Sequence, residues 1–207
     1  WEVSVIKDFG VVVCGKTPSK SNPLNFSGDI PFIKIPDMHN SVYVTNSTET
    51  LSYEGMMSQP KKTIPAGSVC VSCIATVGKV VITERASQTN QQINSIVPRE
   101  SIFTEFLYFY MCTLNSHFHD LASGGSATLN MNTSTFSSIK IIKPNEKLLV
   151  IFSDRVGCLF KKILLNSNEI ITLEKVRDAL LPKLLSGELD VTSLTELADI
   201  EPAAMDD

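Results

Sequence analysis

The chain has 207 residues, enough for one globular domain with a substantial core plus an accessory element. Its net charge of −4 hides a division: residues 1–185 hold 18 Lys/Arg and 15 Asp/Glu, whereas residues 186–207 hold seven acids and no base. A mildly basic body permits contact with a polyanion, and no run of about 18 apolar residues offers a membrane-spanning helix, so a soluble, cytoplasmic protein is expected. The start at Trp1 rather than Met suggests a processed form or a piece of a longer chain.

Through residue 145 the pattern is one of short strands separated by turn-forming residues. Strands are predicted at Val3–Ile6, Val11–Cys14, Phe32–Ile35, Val69–Ile74, Lys79–Thr83, Ile93–Val97 and Ile139–Ile142. Between them lie Gly15-Lys16-Thr17-Pro18-Ser19, Ser21-Asn22-Pro23, Pro65-Ala66-Gly67 and Ser123-Gly124-Gly125-Ser126. Phe103–Leu121 reads as a helix, with Phe106, Leu107, Tyr110, Leu114 and Phe118 at helical spacing. The five cysteines form no disulfide framework. Cys70 and Cys73 make a single CxxC inside a strand-like run, where residues three apart face opposite sides, so they read as buried apolar thiols rather than a metal or redox pair.

From Asn145, a good N-cap, the pattern changes to a long helix. Leu149, Phe152, Val156, Leu159, Ile163, Asn166, Ile170, Leu173, Arg177, Leu180 and Leu184 recur in alternating steps of three and four, a narrow seam of the coiled-coil kind. Asn166 on that seam suits a register-fixing position, Pro182 is expected to bend or weaken the last turns, and Gly187 to terminate them. The expected fold class is α+β: a β-rich domain with long loops and short helices (1–145), a pairing or spacer helix (146–186) and an acidic, flexible tail (187–207).

No catalytic set is apparent. Asn22-Pro23-Leu24-Asn25 lacks the second proline and the aromatic of an amino-methyltransferase loop, and no Gly-rich turn joins a strand to a helix as a nucleotide cradle. Asp37 and Glu54 belong to no compact acid-and-lysine cluster, and Ser72 and Ser126 have no nearby His. No cofactor or metal is expected.

Six stretches resemble one family in order. They are Gly28-Asp29-Ile30-Pro31-Phe32-Ile33-Lys34-Ile35-Pro36-Asp37-Met38, Thr63-Ile64-Pro65-Ala66-Gly67-Ser68-Val69, Ala75-Thr76-Val77-Gly78-Lys79-Val80, Thr89-Asn90-Gln91-Gln92-Ile93, Ser123-Gly124-Gly125-Ser126-Ala127-Thr128 and Leu180-Leu181-Pro182-Lys183-Leu184-Leu185-Ser186-Gly187-Glu188-Leu189. Together they resemble the specificity subunits of type I restriction–modification systems. Such a subunit usually has two target-recognition domains and two antiparallel helices; this sequence has one of each, as in a C-terminal half or a self-pairing half-subunit. The resemblance implies a non-catalytic module that binds half of a bipartite double-stranded DNA site and docks methyltransferase subunits and, through them, restriction subunits. A coiled-coil adaptor whose β-rich domain binds protein or peptide is the alternative.

Candidate DNA contacts are the lysines Lys16, Lys20, Lys34, Lys61, Lys62 and Lys79, with Thr17, Ser19, Thr76, Asn90, Gln91, Gln92, Ser126, Thr128 and Asn130 as polar neighbours. Lys79 is the strongest single candidate. Asn and Gln can bond an adenine edge in two places, yet Thr89–Ile93 belongs to a family-like stretch. A segment shared by readers of different sequences suits scaffolding or phosphate contact, leaving base choice to loops 20–28, 39–47 and 126–132. Pairing between helices is assigned to Phe152, Val156, Leu159, Ile163, Asn166, Ile170, Leu173, Leu180 and Leu184, with a second half or a second copy as partner.

Overall fold

The computed structural model describes residues 1–122 and 130–189. Candidate contacts Ser126 and Thr128, and the tail beyond Leu189, lie outside the described residues. In chain order the elements are β1 (Glu2–Val5), α1 (Ile6–Phe9), β2 (Gly10–Cys14), β3 (Phe26–Ile33), β4 (Tyr43–Val44), β5 (Glu49–Leu51), α2 (Tyr53–Met57), β6 (Val69–Ser72), β7 (Val80–Thr83), β8 (Gln88–Thr89), β9 (Ile93–Pro98), α3 (Thr104–Thr113), α4 (Asn115–Ala122), α5 (Thr133–Ser137), β10 (Lys140–Lys143) and α6 (Glu146–Leu185). The first of two structural units is Trp1–Leu165, and the second begins at Asn166.

A five-stranded sheet in the order β2-β9-β6-β7-β4 organises the first unit. Its central strands are apolar without strict alternation, which is the pattern of strands covered on both faces. Val69, Val71, Ile82 and Ile96 point to a core shared with Phe9, Leu107, Met111, Phe118 and Phe136 on the helical side. Cys70, Val81 and Ile93 point the other way, to a smaller core with Ile33, Met38, Val44 and Ile64. Cys70 and Cys73 fall in opposite cores, as their spacing requires. A second sheet, β5-β3-β8, and a two-stranded ribbon, β1-β10, complete the β structure.

Several boundaries differ from the sequence reading. The strand expected at Phe32–Ile35 is an eight-residue strand ending at Ile33, with a bulge between Phe26 and Ile30, and Ile35–Met38 is a 3-10 turn. Gly28, Asp29 and Pro31 disguise this strand because each is a poor strand former. The strand expected to reach Ile74 stops at Ser72, whose side chain accepts the Lys79 N–H of the following turn at 2.9 Å. The single helix expected over Phe103–Leu121 is two, broken at Leu114, whose N–H bonds Met111 in a tightened last turn.

The long helix is present from Glu146, and the Asn145 side chain caps it by accepting the Leu148 N–H at 2.9 Å. It runs through Pro182 to Leu185, followed by Gly187 at φ +73°. Its seam divides. Leu149 is buried, and Val156 packs on the domain's own core together with Phe160, which lies outside the predicted seam. Phe152 meets Phe109 at 6.2 Å between ring centroids. From Leu149 to Phe160 is eleven residues, three turns at 3.67 residues each, the period of a near-straight helix on a globular face rather than the 3.5 of a coiled-coil seam. Leu159 is consequently 59% exposed beside Phe160 at 3%. Ile163, Ile170, Leu173, Leu180 and Leu184 are exposed as well.

Adjacent residues should therefore behave oppositely. Phe160 contacts Phe109 and Tyr108 at 5.4 and 5.5 Å between ring centroids, so Phe160→Ala is expected to cost about 3–5 kcal/mol in denaturant unfolding of the monomeric chain. Leu159→Ala should cost less than about 1 kcal/mol under the same conditions; equal costs would contradict the eleven-residue packing period.

Candidate nucleic-acid interface

Strand directions gather the candidate loops. β2 is antiparallel to β9, β9 to β6 and β6 to β7, while β4 runs parallel to β7. The C-terminal ends of β2 and β6 and the N-terminal ends of β9, β7 and β4 thus share one end of the sheet. From that end emerge segments 15–20, 39–42, 73–79 and 90–92. Lys16, Thr17, Thr76, Lys79, Asn90, Gln91 and Gln92 are brought together there.

The first segment is fastened to the last by backbone contact. Gly15 N–H donates to Ile93 at 3.0 Å and Lys16 N–H to Thr89 at 2.9 Å. A Cβ on Gly15 would lie 2.1 Å from the Asn90 carbonyl oxygen, so only glycine allows this approach. The Thr17 hydroxyl donates to Gln91 Oε1 at 2.8 Å. Asn90 folds on itself: its Oδ1 accepts the Gln92 N–H at 3.1 Å and its Nδ2 donates to Gln92 Oε1 at 2.9 Å. These amides support the loop, and Asn90 is buried.

Beneath them sits Gln88, fully buried. Its Nε2 is directed at the Met56 carbonyl (3.0 Å), the Gln59 carbonyl (3.3 Å) and the Thr63 hydroxyl (2.9 Å), while its Oε1 accepts from Gln59 Nε2 at 2.9 Å. Gln59 Nε2 also donates to the Lys16 carbonyl, and Lys62 Nζ donates to the Cys14 carbonyl at 2.9 Å. The Pro60–Lys62 turn is thereby tied to the Lys16 loop. Lys61 is exposed on it, whereas the Lys62 ammonium already has a structural partner.

The turn from Cys73 to Lys79 is held equally closely. Cys73 N–H donates to Gln92 at 2.7 Å, Gly78 N–H to Ser72 at 2.9 Å, and Met131 N–H to Cys73 at 2.8 Å. A bridge pairs Ile74 with Asn130, which brings exposed Asn130 to the same end. Ala75 and Gly78 have φ of +64° and +87°. Thr76 and Lys79 are left exposed.

Two expected lysines lie apart from this arrangement. Lys34 pairs with Glu49 and lies over the Phe32 ring, 5.6 Å from its centroid, so its charge is partly committed inside the second sheet. Lys20 lines an open cleft of about 460 Å³ with Phe26, Ser27 and Thr48–Thr50. Exposed Ser19 precedes it, its carbonyl accepting from Asn25 Nδ2 at 2.9 Å. Burial pushes the Cys70 and Cys73 thiols up to about 12 and about 11, which keeps both neutral. No group of three or more His, Cys, Asp or Glu side chains among the described residues is placed to hold a metal. No helix among them is long and apolar enough to cross a membrane.

Sequence reasoning passed over Gln59, Gln88 and Asn115, which hold these loops but look like ordinary polar residues in sequence. It also gave no individual residue in segment 39–42.

The family model for the type I restriction modification DNA specificity domain matches residues 1–175. The chain belongs to that family. The specificity subunit of the type I restriction enzyme HindI, from Haemophilus influenzae, is 53% identical over 191 residues, covering 91% of this specificity domain and 42% of the relative. The MjaIX specificity subunit of Methanocaldococcus jannaschii is 30% identical over 149 residues, covering 70% and 34%. Among solved structures, the HsdS subunit from Thermoanaerobacter tengcongensis matches with a TM-score of 0.58 at 17% identity over 91% of this chain and 46% of its own. The type I S subunit from M. genitalium matches with 0.59 at 15% over 90% and 46%. These two likenesses are of fold. This specificity domain spans less than half the length of each of these relatives.

Gln88→Leu keeps most of the volume but strands two carbonyls, a hydroxyl and an amide. It is expected to cost about 3 kcal/mol in denaturant unfolding; a loss under about 0.5 kcal/mol would show that the amide does not hold the loops.

Proposed function

We propose that this specificity domain recognises one half of a bipartite double-stranded DNA site and does no chemistry itself. In this reading residues 1–145 read DNA, residues 146–186 set spacing and pairing, and methyltransferase subunits, with restriction subunits through them, dock on the assembled subunit. The observation that carries the reading is the gathering of Lys16, Lys61, Lys79, Thr17 and Thr76 around one end of a sheet whose loops are locked by buried amides. Rigid loops presenting cations suit phosphate contact, which positions a protein on the duplex without reading sequence.

The exposed positions Leu159, Ile163, Ile170, Leu173, Leu180 and Leu184 support pairing with an equivalent helix, from a second half or a second copy, with exposed Asn166 as the polar position on that face. Forty residues of helix measure about 60 Å, against about 34 Å for ten base pairs of DNA. Two domains joined through such helices would read two short sequences with unread bases between them.

Selection from a randomised duplex library, by the chain assembled with its methyltransferase partner at moderate salt, should enrich a bipartite sequence. Lys16→Ala and Lys79→Ala should each weaken binding to all duplexes alike and reduce the slope of log affinity against log salt by about 0.9. No enrichment, or affinity indifferent to salt, would contradict the reading and favour a protein-binding adaptor.

A further inference from the structure

The amide side chains of residues 1–122 divide sharply. Eleven Asn and Gln residues occur there, and ten of them make a side-chain hydrogen bond: Asn22, Asn25, Asn46, Gln59, Gln88, Asn90, Gln91, Gln92, Asn94 and Asn115. Asn40 makes none among the described residues, and it is exposed. It sits at φ +61°, a left-handed conformation that asparagine tolerates better than most residues but that still carries a cost.

Its surroundings are those of the interface. Segment 39–42 leads into β4, and the Val42 carbonyl accepts the Ile82 N–H at 2.8 Å, which pins the segment to the loop end of the five-stranded sheet. Asn40 and Ser41 line an open cleft of about 440 Å³ with Lys79, and Tyr108 and Val80 contribute to its wall. On the far side Asn115 Nδ2 donates to the Gly78 carbonyl at 3.2 Å and fixes the turn that carries Lys79. Ser41, like Asn40, makes no hydrogen bond through its side chain within the described residues.

Base readout needs a side chain whose donor and acceptor are both unspent, held at a defined place beside a phosphate anchor. Gln91 and Gln92 fail the first condition, because one lone pair of each oxygen already accepts a bond, from Thr17 and Asn90 respectively, and that bond turns the amide toward the loop. Asn40 meets both conditions. We infer that Asn40 is a specificity-determining residue that reads an adenine through its N6 and N7 in the major groove, with Lys79 holding a neighbouring phosphate. The pairing follows from geometry: an amide offers one acceptor to N6–H and one donor to N7, the complement of adenine alone among the four major-groove edges.

The inference rests on the DNA-recognition reading above, and one experiment separates the two. The chain assembled with its methyltransferase partner, as wild type, Asn40→Gly, Asn40→Ala and Lys79→Ala, is used to select from a randomised duplex library, and affinities are measured on the wild-type site and on an unrelated duplex. Asn40→Gly keeps the left-handed backbone accessible and removes only the amide. The wild type should require adenine at one position that Asn40→Gly and Asn40→Ala accept as any base. Affinity for the wild-type site should fall about 5- to 150-fold while that for the unrelated duplex is unchanged. Lys79→Ala should weaken both duplexes and leave the selected sequence intact. A selected sequence unchanged in Asn40→Gly, or a loss equal on both duplexes, overturns the role of Asn40 and leaves the DNA-recognition reading standing. A wild type that selects no sequence overturns both.

Discussion

The loop end of this domain depends on one buried amide. Gln88 lies where water cannot reach it, so each of its polar atoms must find a partner inside the protein. It finds them in Met56, Gln59 and Thr63, and Gln59 in turn reaches the backbone of Lys16. A short strand in one sheet, a 3-10 turn and the loop leaving β2 are thereby fixed to one another. Gly15 allows the loop to lie backbone against backbone on Asn90, and the 73–79 turn joins through the Gln92 carbonyl. The backbone that carries the cations of these loops has little conformational entropy to lose on meeting a phosphate, and only the lysine side chains remain to be ordered.

The same economy explains the division of roles among the polar residues. A side chain whose hydrogen bonds hold the scaffold is oriented by them and is poorly placed to discriminate bases. One with none spent, on a pinned segment at the same end, is free to do so. Asn90, Gln91 and Gln92 belong to the first kind and Asn40 to the second. The long helix shows a comparable split between structure and outward display: Leu149, Phe152, Val156 and Phe160 follow the period of a straight helix on its own domain, while Leu159 and Ile163 follow the seam and remain exposed.

What was legible in the sequence were features with strong local causes. The strands at β2, β6, β7 and β9 have β-branched runs between turn residues, and the long helix has its N-cap at Asn145 and a glycine at 187. The family resemblance was legible because it rests on ordered stretches of residues. Less visible were elements made by tertiary contact. β8 is two polar residues, Gln88 and Thr89, that periodicity reads as loop but that hydrogen bonds allow to be buried. β3 is hidden by Gly28, Asp29 and Pro31. The break at Leu114 has no proline or glycine to announce it and coincides with Asn115 fastening the Gly78 turn. The seam is visible as a pattern, but pattern alone does not say which residues a helix gives to its own domain, as it gives Phe152 and Val156. Among the candidate contacts, Lys34 and Lys62 could not be told from free lysines, because Glu49 and the Cys14 carbonyl are distant in sequence.

DNA is expected to meet the end of the five-stranded sheet from which segments 15–20, 39–42, 73–79 and 90–92 emerge. Hydrogen exchange of the chain assembled with its methyltransferase partner, with and without a bound duplex carrying the selected site, tests it most directly. New protection is expected in those four segments and in Lys61 and its neighbours. Protection at the opposite end of the sheet, in residues 65–68, 84–87 and 98–100, with those four segments unchanged, would contradict it.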